Sequence, residues 1–242
     1  MGTCLGLSVA TMLLLSALCI GDSIEATLAK QARERTGSVS HVFLSEEGYF
    51  YSDLVDRVQR SINLNTTGKL APVLLTQGMV SSPDGKKRAN GVTVLGVDSR
   101  FFDFADARNG LPDLNESGFW ASPGLWNELK MDHASRLILR VEEPSLFSRD
   151  APLSGERDSR FISWNRPLLG AIEPSALGSF SLRASMSEAR TLFVPLSMLQ
   201  EDMFVSFDPD KGRSDFCNLI LADAEAGSIS LVEEAKIGRA HV

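Results

Sequence analysis

The chain has 242 residues, 43% apolar and 23% charged, with 31 acidic against 24 basic side chains and a net charge of −7. Such a length allows one or two domains with a sizeable core, and the composition is that of a folded protein. The acidic balance argues against a general nucleic-acid binder, which needs a basic surface to displace counterions. Lys86, Lys87 and Arg88 follow Asp84-Gly85 and read as a solvated turn tip. Cys4, Cys19 and Cys217 have neither metal-ligand spacing nor the pattern of a disulfide framework. Cys217 lies in an apolar run and reads as a small buried hydrophobe.

Residues 1–21 carry no charge and are mostly Leu, Ala, Val, Met and Ile from Leu5 onward. About 20 such residues in a helix span the hydrocarbon layer of a bilayer. A cleavable signal would need a basic start and a small-x-small site, and Met1-Gly2-Thr3 and Ser16-Ala17-Leu18-Cys19 supply neither. An uncleaved transmembrane helix is therefore expected over 1–21. Ile24, Leu28 and Ala32 continue at helical spacing, with Glu25, Lys30, Arg33, Glu34 and Arg35 between them, and Gly37 supplies a stop. This predicts a stiff stalk helix over 22–37. Lys30, Arg33 and Arg35 follow the span and nothing basic precedes it, so the positive-inside rule alone would put the following domain in the cytoplasm. Long domains, however, translocate largely regardless of charge.

From His41 the pattern changes to short strands and helices. Residues 42–44 read as a strand, 53–62 as an amphipathic helix, and 71–80 and 91–97 as two strands joined by the turn Ser82-Pro83-Asp84-Gly85. A short helix or turn is expected at 99–107, helices at 123–129 and 196–203, and strands at 137–141, 161–172, 191–194 and 216–221. Residues 143–160 read as a long loop. Interleaved strands and helices without a repeat predict an α+β fold with mixed sheets. The final residues Lys236-Ile237-Gly238-Arg239-Ala240-His241-Val242 back-translate to a stretch containing AGATCGGAAGAGCACACGTC, a common sequencing-library adapter. Residues 236–242 are therefore expected to be read-through, with the natural protein continuing past Ala235.

No phosphate-binding loop, nucleophile elbow or H-E-x-x-H helix occurs. Glu46-Glu47 and Glu142-Glu143 are adjacent in sequence, which on a strand sends them to opposite faces. His41 and His133 read as surface residues, and Asn65-Thr66-Thr67 and Asn115-Glu116-Ser117 match glycosylation sequons. The aromatic residues Trp120, Trp126, Trp164, Phe101, Phe102 and Phe104 read as core. No catalytic, cofactor-binding or metal-ligating residue is assigned.

Several segments resemble a known family. Gly21-Asp22-Ser23-Ile24-Glu25-Ala26-Thr27-Leu28 after an apolar span is similar to the first-helix exit of ABC transporter permeases of the FtsX/MacB type. Residues 88–98, 139–145, 149–153, 178–182 and 193–199 continue the similarity in the same order. The resemblance implies a periplasmic core domain over 38–235, α+β, with a porter-like and a more strand-rich part. It further implies a bacterial inner-membrane location with the main domain outside, and no enzyme activity or cofactor in this chain. The implied partners are an ABC ATPase subunit, a second permease copy forming a dimer, and a periplasmic partner protein. Together they would couple ATP hydrolysis to export or envelope signalling. The chain departs from the family in lacking a basic leader and later membrane helices, and in carrying Lys130-Met131-Asp132-His133-Ala134 where relatives often have Gly-Asp. A secreted or lipid-anchored binding domain is the alternative. An exported hydrolase would need a pocket around Asp132, His133 and Trp164.

Overall fold

The computed structural model describes residues 2–45, 48–62, 68–105, 111–112, 118–130, 132, 135–144, 160–182, 187–204 and 215–223. The loop expected over 143–160, both sequons, Glu46-Glu47, His133 and residues 236–242 lie wholly or mostly outside them. Helix α1 runs unbroken over Gly2–Thr36. It is followed by β1 (His41–Leu44), β2 (Phe50–Tyr51), α2 (Asp53–Ile62), β3 (Lys69–Ser81) and β4 (Arg88–Val97). A 3-10 turn at Ser99–Phe104 leads to β5 (Phe119–Ala121), α3 (Pro123–Leu129), β6 (Arg136–Glu142) and β7 (Phe161–Ala171). A second 3-10 turn, Pro174–Ala176, precedes β8 (Thr191–Pro195), α4 (Leu196–Met203), β9 (Phe216–Cys217) and β10 (Leu219–Asp223).

The long strand β3 organises the sheet. Its first residues pair with β10, and its later residues pair with β4 on one side and β6 on the other. The order β3-β4-β8-β5-β7-β6 returns to β3, so six strands close into a barrel, with β10 and β1 as an extension. The β4–β8 and β5–β7 pairs are parallel and the other barrel pairs antiparallel, giving the mixed sheet expected. Closure needs a bend and a close approach. At Asn90-Gly91 the β3–β4 register slips between Gly78 and Val80, and Gly91 takes φ +63°, a left-handed backbone in keeping with a bulge. At Gly78, across from Val141, an added Cβ would sit 2.8 Å from the Arg140 carbonyl oxygen.

Alternation along the strands divides the side chains between two cores. Leu74, Val94, Leu192 and Ala121 point inward with Leu139, Val141, Trp164 and Leu168. A barrel this narrow is filled by side chains rather than hollow. Helix α3 follows β5 at Ala121, opposite Leu192 near the start of β8, whereas α4 follows the end of β8. The helices therefore enter from opposite ends, bringing Leu125 and Leu129, and Leu196, Leu199 and Met203, into the same core. Ser122 caps α3, Pro123 opens it, and Lys130 ends it in a left-handed conformation (φ 46°). The opposite strand faces carry Leu95, Phe193, Val73 and Leu221, which pack against Phe101, Phe104, Leu177 and Phe180 in a second core. Val55 of α2 covers Leu70, Ile220 and Ala222 on the extension.

One expected strand is split. Residues 216–221 break at Asn218, whose side chain accepts from the Leu75 N–H at 2.7 Å and donates to the Leu75 carbonyl at 2.8 Å. This side chain takes the place of a ladder bond, so β9 pairs with β2 while β10 pairs with β3. The short strands β2 and β5 carry no alternation long enough to read in the sequence.

Candidate functional site: the junction of helix and barrel

Among the described residues, the apolar window of α1 packs against nothing. Val9–Thr36 is long and apolar enough to cross a membrane, and none of its apolar window is buried. Leu7, Met12, Leu13, Leu14 and Leu18 are between 65% and 74% exposed. Removing one such side chain from water is worth about 1.5–3 kcal/mol, so this surface favours an apolar environment such as a bilayer supplies. At 1.5 Å per residue the helix is about 52 Å long, and some 30 Å of it suffices for the hydrocarbon layer. The remaining part is a polar stalk carrying the Lys30–Glu34 pair at 3.8 Å.

The stalk meets the second core at Gly37. Its N–H donates to the Arg33 carbonyl at 2.7 Å, and φ is +58°, ending the helix in the conformation glycine favours. Ser38 donates its N–H to the Phe104 carbonyl at 3.0 Å, and its hydroxyl reaches the same oxygen at 3.3 Å. Arg35 reaches the Ser187 carbonyl at 3.1 Å. Ser40 then donates to the Ala222 carbonyl, at the end of β10, at 3.0 Å. Behind Phe104, Phe101 stands edge-on to Phe102 and Phe180, with centroids 5.1 and 5.2 Å apart. The stalk is thus fixed to three segments far apart in sequence. Gly37 was legible as a stop, but Phe104, Leu177 and Ser187 gave no local signal. A groove of about 480 Å³ between Glu34, Gly37, Pro174, Ser175 and Leu177 flanks the junction.

No family model matches this chain, and no curated protein matches it in sequence. Solved structures align with it, among them the following two. One is the extracellular domain of the noncanonic ABC-type transporter YknZ from Gram-positive bacteria, at 13% identity and TM-score 0.39, covering 78% of this chain and 86% of that one. The other is the periplasmic region of MacB from Actinobacillus actinomycetemcomitans, at 9% identity and TM-score 0.44, covering 84% and 82%. The chain is similar to both.

The remaining sites read from sequence fall as follows. Trp164 points into the barrel and donates its indole N–H to Asp202 of α4. Asp132 follows α3, which enters from the opposite end, and His133 lies outside the described residues. Among the described residues no three of His, Cys, Asp and Glu converge as metal ligands do. His41 opens β1, its Nδ1 2.9 Å from the Ser40 hydroxyl. Phe101, Phe102 and Phe104 lie in one core and Trp164 in the other, so the aromatics do not share a groove. At the hairpin Lys87 is not free in solvent: its Nζ donates to the Lys130 carbonyl. Asp84 accepts from the Ser82 hydroxyl and the Lys86 N–H, which hold its carboxyl below the usual range. Arg100 joins the first 3-10 turn to α2 through Asp98 and Asp56, both at 2.7 Å. Burial opposes its charge, but the two carboxylates outweigh it and raise its pKa.

Cys217 is buried in the barrel core beside Gln200, and burial pushes its thiol up to about 12. A thiol held neutral is a poor nucleophile. Iodoacetamide at pH 8 should leave Cys217 unmodified in the native protein and alkylate it fully in denaturant, read by peptide mass spectrometry; equal labelling in both would place it at the surface. The sign for stability follows from linkage. The folded state keeps its proton where the unfolded chain loses it, so this contribution is present below pH 9 and is lost as pH rises toward 12.

Proposed function

We propose that this chain is a non-catalytic extracytoplasmic domain of an ABC transporter permease, tethered by α1 to the bacterial inner membrane. The observation that carries this reading is the unbroken helix Gly2–Thr36, exposed along its apolar window and locked at Gly37 onto the second core, on the outer face of the barrel. A stiff rod joined rigidly to a domain passes displacement in the membrane plane to that domain; a flexible linker would not. Of the segments with permease resemblance, 88–98 falls on and just after β4, 193–199 runs across β8 and α4, and 178–182 lies beside the junction, while 149–153 is outside the described residues. In this reading ATP hydrolysis takes place on a partner subunit. A second permease copy completes the dimer, and a periplasmic partner receives the motion for export or envelope signalling.

Orientation is the test. Asp84→Cys, with Cys4 and Cys19 replaced by Ser, places a thiol on the exposed hairpin tip. A membrane-impermeant maleimide should label it in intact spheroplasts as fully as after permeabilisation. Labelling only after permeabilisation would put the domain in the cytoplasm, as the basic residues after the span would have it, and end this reading.

A cleft of about 240 Å³ favours the second reading, a tethered binding domain. It lies on the outer face of β3 and β4, walled by Phe180, Ser181 and Leu182, with Leu75, Gln77 and Leu95 as its floor. A natural gene ending soon after β10, with no neighbouring ATPase gene, would favour it over the permease.

A further inference from the structure

The outer face of β6 and β7 is bare of covering elements among the described residues. Register places Arg136, Ile138, Arg140 and Glu142 in one row along β6, pointing away from the interior, with Met79 of β3 across from Arg140 and Phe161 of β7 across from Glu142. Phe161 is 63% exposed, among the most exposed large apolar side chains outside α1.

Several arginines elsewhere in the domain are committed, although the side chains of Arg160 and Arg166 near the same face are also without a partner among the described residues. Arg35 holds Ser187, Arg57 faces Asp53, Arg100 bridges Asp98 and Asp56, and Arg190 grips Glu128 through two nitrogens. Arg136 and Arg140 are exposed, and neither side chain has a hydrogen-bond or ion-pair partner among the described residues. They stand four residues apart on one strand face, about 13 Å, with Ile138 between them. A chain of net charge −7 thus keeps two unpaired guanidiniums beside an exposed phenylalanine, the side-chain types enriched where proteins bind one another.

We propose that this face docks an extended acidic segment of a partner protein, with carboxylates at positions i and i+4 and an apolar residue at i+2. Strand periodicity sets the match, because an extended chain repeats its facing side chains with the same spacing as β6. Each carboxylate meets a guanidinium fork, and the apolar residue covers Ile138. A second copy of this chain fits less well. A two-fold axis centred on Ile138 would set Arg136 of one copy against Arg140 of the other, like charge against like. The inference stands apart from the permease reading and would hold equally for a tethered binding domain.

The test uses the full chain in detergent micelles and a fluorescein-labelled heptapeptide, acetyl-Glu-Ser-Val-Ser-Glu-Ser-Lys-amide, with its Glu/Lys-exchanged counterpart as control. Fluorescence anisotropy should show binding by the first peptide, weakened by salt, and none by the second. R136E/R140E should weaken binding by about ten-fold or more. The neutral R136Q/R140Q covers the case in which charge reversal impairs folding, and should weaken it in the same direction. Equal binding of the two peptides, or unchanged affinity in both variants, overturns the proposal. Self-association of the chain that R136E/R140E abolishes also overturns it, since the occupant would then be a second copy.

Discussion

Gly178→Ala is expected to cost the domain a large share of its stability. The chain leaves β7, passes through Pro174–Ala176 and turns back, so that Gly178 donates its N–H to Glu173 at 2.9 Å. A Cβ here would stand 1.9 Å from the Ile172 carbonyl oxygen and 2.5 Å from its carbon. These are backbone atoms, with no flexible side chain to swing aside, so the turn itself must open. Leu177, already left-handed at φ 64°, has no slack to give. Opening the turn would withdraw Leu177 and Phe180 from the second core, a loss of more than about 4 kcal/mol against a typical total of 5–15. Gly85→Ala is the control. Its φ is also positive, but nothing lies within 4 Å of the new methyl, and a loss of about 1 kcal/mol is expected. Thermal unfolding by circular dichroism separates the two. A Gly178→Ala protein as stable as the Gly85→Ala one would mean that the turn does not close on Ile172.

Gly37→Ala comes next in expected size. The new Cβ would meet the Phe104 carbonyl oxygen at 2.4 Å and Leu177 Cδ2 at 2.7 Å, at a residue whose φ already favours glycine. The conformational cost is about 1–2 kcal/mol, and displacing Phe104 adds to it, so a loss of about 2–4 kcal/mol is expected in denaturant melts. The effect is also directional, because the methyl pushes the stalk away from the aromatic cluster. In the assembly proposed above, transport should fall further than ATP hydrolysis, since the rod is loosened while the motor is untouched. Parallel loss of both would argue that the junction serves stability alone.

Much of this architecture was legible because it is local. Charges between Leu54, Val55 and Val58 marked α2, the helix expected over 123–129 is α3, and Pro83 with Gly85 marked the hairpin. Closure was not legible. It depends on β3 serving β10, β4 and β6 at different points along its length, and pairing partners across such distances leave no periodic trace. Gly78 and Gly91 are visible as glycines, but only the neighbours at Arg140 and the register slip explain them. Asn218 looked like one more residue of a strand, because its role is a bond to Leu75, 143 positions away. The junction divides in the same way: Gly37 announces a helix end, whereas its anchoring points come from other parts of the chain.

The pairing of β1 with β10 has a mechanical consequence. His41 lies across from Ala222 in an antiparallel pair, so the strand that follows α1 begins where the last described strand ends. Force arriving through α1 can act on that corner in two ways. Directed along the strands, it is borne by every bond of the β1–β10 ladder at once. Directed sideways, it loads the ladder from its open end, where bonds break one at a time beginning at Ser40 and Ala222. The corner is stiff to the first motion and soft to the second, so it filters which displacements of α1 are felt beyond it.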